Sequence, residues 1–424
     1  MDQSLIRKYP LGSIPIFMKG WKLGIGRILV LVLGLVLVAG CLGTRSPQET
    51  RWKELNERAL QLRKQDKYAE GVSVATQALD LAEKTFGPTD PRVAAALDTL
   101  AALYYSQTKY PEAEALSKRS LVIFEKKLGP DSVAVAESLN NLSNIYLRQK
   151  RYSEAEPLLK RSLTIMEKVF GPDDPHVVLP LYGLASLCTY QGKYSEAEPL
   201  LKRSLTIREK KLGPEHPDVA DALQSVGKLY LRQGKYSEAE LPLKRSLAIT
   251  EKPQRPDSVA VAMSLNSLGT LYGAQERYAE AEPLLKRSLT IREKLFGPDD
   301  PHVATALYSL GILCTRLGKY PEAEDMLKRS QEIWETKLGT ENSEVAGSLH
   351  GLGTLYFVQG KYSDAEPLLK RSLAIFEKKL RPEHPNVAEC LDDLAELYRK
   401  TGNDQEASRL EERAENIKSQ SGSR

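Results

Sequence analysis

SEAEPLLKRSLTI occupies residues 153–165 and returns letter for letter at 195–207; AEAEPLLKRSLTI at 279–291 differs at one position. A Lys-Tyr or Arg-Tyr pair stands just before each copy. The tyrosines Tyr68, Tyr110, Tyr152, Tyr194, Tyr236, Tyr278, Tyr320 and Tyr362 fall 42 residues apart without a gap. One further step lands on Asp404 in GNDQEA, a degraded last copy. A fixed period of this size predicts a solenoid, because each unit buries its apolar face only against its neighbours.

Each unit reads as two helices. In residues 217–253 the first carries Val219, Leu223, Val226 and Tyr230 at steps of three and four, which marks one buried face. Gly234 interrupts it at QGKY. The second carries Ala239, Leu243 and Leu247 at steps of four. The connectors repeat as well. Gly129, Gly171, Gly213, Gly297 and Gly339 end second helices, where a left-handed residue suits glycine. Asp90-Pro91, Asp174-Pro175, His216-Pro217, Asp300-Pro301 and His384-Pro385 open first helices, with proline at the first helical position and the preceding side chain as cap. Ser132, Ser258 and Asn342 take the same cap position. This register assigns His216 and His384 to caps rather than to a metal.

EAEPLLKRSLTIREKKLGPEHPDVA at 196–220 resembles the tetratricopeptide repeat, in the 42-residue form of kinesin light chains. The resemblance covers residues 52–417 and recurs in register: eight full units plus a degenerate terminal unit. It implies an all-α fold, a right-handed superhelical solenoid of helix-turn-helix repeats with first helices lining a concave face. It also implies a protein or peptide partner bound on that face. Two departures stand out. The heptads that join kinesin light chains to their motor chain are missing, so a motor role is not expected. Serine replaces the usual small alanine in KRSL, from Ser120 to Ser372; its hydroxyl is expected to bond back to the preceding turn.

Within SEAEPLLKRSLTI, Ala155, Leu159, Leu163 and Ser162 are expected to face neighbouring helices. Glu156 and Lys160 form a pair four apart, worth about 0.2–0.5 kcal/mol. The Lys-Arg pairs, Lys118-Arg119 to Lys370-Arg371, read as a solvated outer face balanced by glutamates. Where units agree, the demand is to stack. Selectivity is expected where they differ, along Asp98, Asn140, Tyr182, Gln224, Asn266, Tyr308, His350 and Asp392, and a turn later along Ala102, Asn144, Ser186, Lys228, Thr270, Ile312, Thr354 and Glu396. By the resemblance these rows line the groove, and Asn140, Asn141 and Asn266 match asparagines that hold a bound peptide backbone. An amide both donates and accepts, so it suits a backbone. Tyr182, Tyr308 and Phe357 offer aromatic anchors.

The N-terminus reads as a targeting segment. Residues 28–40, ILVLVLGLVLVAG, are uninterrupted apolar sequence behind basic residues. Thirteen helical residues span about 20 Å, short of the roughly 30 Å hydrocarbon core, which fits a secretory signal. Val38-Ala39-Gly40-Cys41 resembles a bacterial lipoprotein cleavage box, implying lipidation of Cys41. Residues 1–40 are then the signal, 41–51 a lipidated tether, and 418–424 a disordered tail. A single signal anchor is the alternative; either places the array outside the cytoplasm. The residues leave the start open between Met1 and Met18. Leu42 in place of aspartate favours the outer membrane.

The formal net charge is +4, but residues 1–40 hold five bases and one acid, so the remainder balances at 55 of each. Such a body has no overall field for nucleic acid, which leaves only local patches, and no nucleic-acid partner is expected. Cys188, Cys314 and Cys390 sit in different repeats and read as lone buried thiols. No P-loop, H-E-x-x-H or CxxC motif is present, and no cofactor, metal or small-molecule substrate is expected. The expectation is a non-enzymatic scaffold. The alternative is an envelope-assembly protein that works through its outer charged face or by end-to-end stacking.

Overall fold

The computed structural model describes residues 46–252, 257–380 and 382–422. The apolar run at 28–40 and Cys41 lie outside the described residues. Among the described residues there are eighteen α-helices and one short 3-10 turn, and sixteen of the helices pack as eight hairpins of neighbours in sequence. They fall into two compact units, one ending at Leu187 and one beginning at Cys188.

The first unit contains α1 (Pro47–Lys64), α2 (Tyr68–Phe86), α3 (Pro91–Ser106), α4 (Tyr110–Leu128), α5 (Val133–Arg148) and α6 (Tyr152–Phe170). Helix α7 (Val178–Tyr190) follows a 3-10 turn at Pro175–Val177. Pro180 explains that turn: it has no amide to offer the His176 carbonyl, so the α-helical ladder cannot extend back normally. The second unit contains α8 (Tyr194–Leu212), α9 (Pro217–Arg232), α10 (Tyr236–Thr250), α11 (Val259–Ala274), α12 (Tyr278–Phe296), α13 (Pro301–Arg316), α14 (Tyr320–Leu338), α15 (Ser343–Val358), α16 (Tyr362–Lys379), α17 (Pro385–Lys400) and α18 (Asp404–Gly422).

Two boundaries and one backbone conformation differ from the sequence reading. Residues 47–51 are helix rather than tether, because Ser46 accepts the Glu49 amide, Pro47 is preorganised at the first position, and Trp52 anchors the helix in the core. The last helix runs on to Gly422. The glycines closing second helices are not left-handed helical: Gly129 and Gly213 have φ 85° and ψ 155°. That region is open essentially to glycine alone.

The caps follow the expected register. Asp90, Asp174 and Asp300 accept the amides of Arg92, His176 and His302 at 2.9, 3.0 and 2.8 Å. His216 and His384 accept through Nδ1 from Asp218 and Asn386 at 3.1 and 3.2 Å. Ser258 and Asn342 cap likewise, whereas Ser132 holds the position without a side-chain bond. His176 and His302 also stack on Phe170 and Phe296, centroids 3.9 and 4.4 Å apart. Cys188, Cys314 and Cys390 are buried and are joined in no disulfide among the described residues.

Second helices bury one stripe, in α6 Ala155, Leu159, Ser162, Ile165 and Met166; Leu163 is half-buried. First helices are wedged more deeply. Helix α13 buries all but three of its 16 residues. Close approach is set by leucines of the repeated string entering glycine notches: a Cβ on Gly227 would lie 2.5 Å from the Leu243 side chain.

Candidate peptide groove

The repeated string saturates its own bonding. Its serine donates to a first-helix carbonyl 26 residues earlier, not to the turn before it: Ser120 to Ala94, Ser162 to Ala136, Ser246 to Ala220, Ser288 to Ala262, Ser330 to Ala304 and Ser372 to Ala346, at 2.7–3.0 Å. An alanine there could pack but could not tie the hairpin. The lysine meets the glutamate four residues back, as in Lys160–Glu156 at 2.6 Å and Lys202–Glu198 at 2.8 Å. The arginine reaches the second helix of the preceding repeat, 36 residues back: Arg161–Glu125 2.6 Å, Arg245–Glu209 2.7 Å, Arg329–Glu293 3.0 Å and Arg371–Glu335 2.9 Å. Lysine hydrogen bonds, first Lys202 and Lys244, hold Glu198 and Glu240 down to about 2.

The first row of predicted groove residues is largely enclosed between helices. In the first unit, Asn140 is buried and donates from Nδ2 to Ser162 Oγ at 2.8 Å. In the second unit, Gln224 Nε2 donates to the Met263 carbonyl at 3.0 Å and to Ser267 Oγ at 2.8 Å. Asn266 Nδ2 donates to Ser309 Oγ at 3.2 Å. Tyr308 is buried with its ring 5.9 Å from that of Trp334, and burial pushes its hydroxyl up to about 12. His350 Nε2 lies 2.8 Å from Asp393 Oδ2, and its proton is held well above the usual range; burial opposes this, but Cys390 and Asp393 outweigh it. Phe357 is buried, 5.6 Å from the ring of Tyr362. Asn144 is also buried. These side chains set the spacing of consecutive first helices.

What remains open on the same helices is a smaller set. Asn141 and Tyr182 in the first unit are half-buried. So are Ser225, Lys228, Met263 and Ile312 in the second. Lys228 has unusual surroundings. Burial, with Arg292 and Arg232 nearby, lowers its amine to about 8, against the pull of Asp221. Asp221 meets solvent, yet the protein around it raises its carboxyl to about 6 despite Arg208. Arg292 itself is buried and donates to the His302 carbonyl at 2.6 Å. The face curves within this unit: the Glu389 carboxylate acts on the phenols of Tyr194, Tyr236 and Tyr308, from three different repeats. A Cβ on Gly192 would lie 3.5 Å from Pro385. The sequence reading missed Asp221, Arg292 and Glu389. Arg292 was visible as a charge at a position where the 42-residue relatives Phe124, Met166, Trp334 and Phe376 are large and apolar, a departure it shares with Arg208.

Among the described residues, no group of three or more His, Cys, Asp and Glu could hold a metal ion. No helix among them is long and apolar enough to cross a membrane.

Two solved structures share the helical array. A Rap protein complexed with competence and sporulation factor is similar with a TM-score of 0.61, at 14% identity over 89% of this chain and 99% of that one. The apo form of the quorum sensor NprR from B. thuringiensis gives 0.58, at 15% identity over 87% and 99%. A putative kinesin light chain from Podosopora anserina, with nearly identical TPR-like repeats, is 28% identical over 49% of this chain and 98% of its own, TM-score 0.38. No curated protein matches the sequence. The tetratricopeptide-repeat model matches at residues 53–126, 96–168, 134–210, 176–252, 260–336 and 344–420, and the chain therefore belongs to the tetratricopeptide-repeat family.

Proposed function

We propose that this repeat scaffold is a non-enzymatic binding protein that holds a protein or peptide segment along the open inner positions of the first helices within a unit. Its signal segment directs it outside the cytoplasm, where a lipid on Cys41 anchors it to a membrane, with the outer membrane favoured. The observation that supports the binding face is the contrast between the two helices of each hairpin. The outer string, nearly constant in sequence, pairs its Lys-Arg charges with glutamates at fixed offsets. The inner positions Asn141, Tyr182, Ser225, Lys228, Met263 and Ile312 differ from copy to copy and meet solvent. A structure of the same fold carries a bound factor, which fits this reading.

Photo-crosslinking groups at Asn141, Tyr182 and Ser225 test it against groups at Lys202 and Leu241 on the outer helices. The expected result is one partner captured from the inner positions and lost on Lys228→Glu. Capture from the outer positions alone would instead support assembly through the charged face. Mass spectrometry of the purified N-terminus tests the anchor separately: a free Met1 or Met18 would rule out lipidation of Cys41.

A further inference from the structure

Asp98 on α3 and Glu137 on α5 belong to consecutive first helices of the first unit. Both are buried, 7% and 6% exposed. Ser138 Oγ donates to Asp98 Oδ2 at 2.8 Å. Glu137 is the residue before Ser138, so it stands 39 positions after Asp98. The same offset brings Gln224 to the Met263 carbonyl and Thr354 Oγ1 to Asp393 Oδ2 at 3.1 Å in the other unit. Asp98 Oδ1 and Glu137 Oε2 are buried without a hydrogen-bond partner. So is Oδ1 of Asn140, one helical turn beyond Glu137.

Among the described residues, no cation is among the groups that act on this pair. The groups that act on Asp98 are the hydroxyls of Ser138 on α5 and Ser120 on α4; on Glu137 it is Asp98 itself. No charged group of α1, α2, α4 or α6 is among them. The corresponding junction between α15 and α17 is built differently, because Asp393 there has His350 at 2.8 Å. Two ionised carboxylates in such a pocket are costly, since buried charge without a partner repels and is poorly solvated. With no third ligating residue grouped with them, the neutralising species of choice is a proton.

We propose that Asp98 and Glu137 are each kept protonated where they are buried between α3 and α5, and that loss of these protons loosens this junction of the inner face. Burial pushes Asp98 up to about 7, against the two serine hydroxyls. Burial, then the charge of Asp98, pushes Glu137 up to about 8. The sign follows from these directions. Both values are raised above those of the unfolded chain, so the stabilisation is fully present below about pH 4 and is lost as pH rises through about 7 and 8.

Hydrogen exchange of the full chain at about pH 6 and about pH 9, corrected for intrinsic exchange rates, reads the junction directly. Protection of the α3 and α5 amides is expected to fall at least about tenfold at the higher pH, the factor that one pKa unit carries. The D98N/E137Q variant should keep its protection at both. If D98N does not fold, E137Q alone should lessen the fall. The proposal is overturned by flat wild-type protection or by an equal loss in the folded variants. It is also overturned if calcium chloride restores protection at high pH, which would make the pair a cation site.

Discussion

At Ser162 a single oxygen makes two bonds between the helices of the hairpin. Its hydroxyl donates to the Ala136 carbonyl at 2.8 Å and accepts from Asn140 Nδ2 at 2.8 Å. Ser162→Ala should therefore cost about 1–2 kcal/mol, because a buried amide donor is stranded as well as a bond lost. Urea denaturation of the two proteins measures this; equal midpoints would remove the serine from the account of hairpin stability. The serine's presence was legible from the repeat, and its smallness was read correctly. Its partner was not, because a bond 26 residues back depends on how two helices lie against each other. The same gap explains Asn140, Gln224 and Asn266. Amides at variable positions look available to a ligand, whereas here they bond neighbouring helices. A warning was present in the composition: VAVAMSLNSLGTLYGA at 259–274 has no charged residue, as suits a helix buried nearly all round.

At the scale of the element, period, hairpin order and caps were all legible, since they rest on local chemistry. Helix α10 departs from its relatives in one detail. It reads ELPLK where α6, α8, α12 and α16 read EPLLK, which moves its proline to the seventh position and leaves Leu241 67% exposed. Its counterpart Leu158 is half-buried one position later. Exchanging the two residues, L241P/P242L, should restore the common pattern and stabilise the array by a few tenths to about 1 kcal/mol through added apolar burial. A denaturant midpoint that falls on exchange would contradict this. It would mean that α10 needs its proline where it stands.

Across each unit, the outer faces carry a charge lattice whose stability has a defined pH range. Glu198 and Glu240 titrate at about 2, below the roughly 4.3 of an unfolded glutamate. Depressed carboxylates stabilise above the unfolded value, and that contribution is lost as pH falls through the folded one. Stability should thus decline from about pH 4 towards pH 2, measured as a falling denaturant midpoint by circular dichroism. A midpoint flat over that interval would show the lattice to be energetically silent, as many surface pairs are. The acid limb belongs to the outer helices, and the alkaline limb proposed for Asp98 and Glu137 belongs to the inner ones.

The fixed offsets have a consequence for how such a chain can change. Serine bonds at 26 residues and arginine pairs at 36 are each shorter than the 42-residue period. Removing or adding one whole unit leaves every such bond with a partner of the same kind at the same distance. Length is therefore a nearly neutral variable for the frame, while any insertion that is not a multiple of 42 breaks the lattice locally. Reach along a partner can be altered by copy number, with no new residue required.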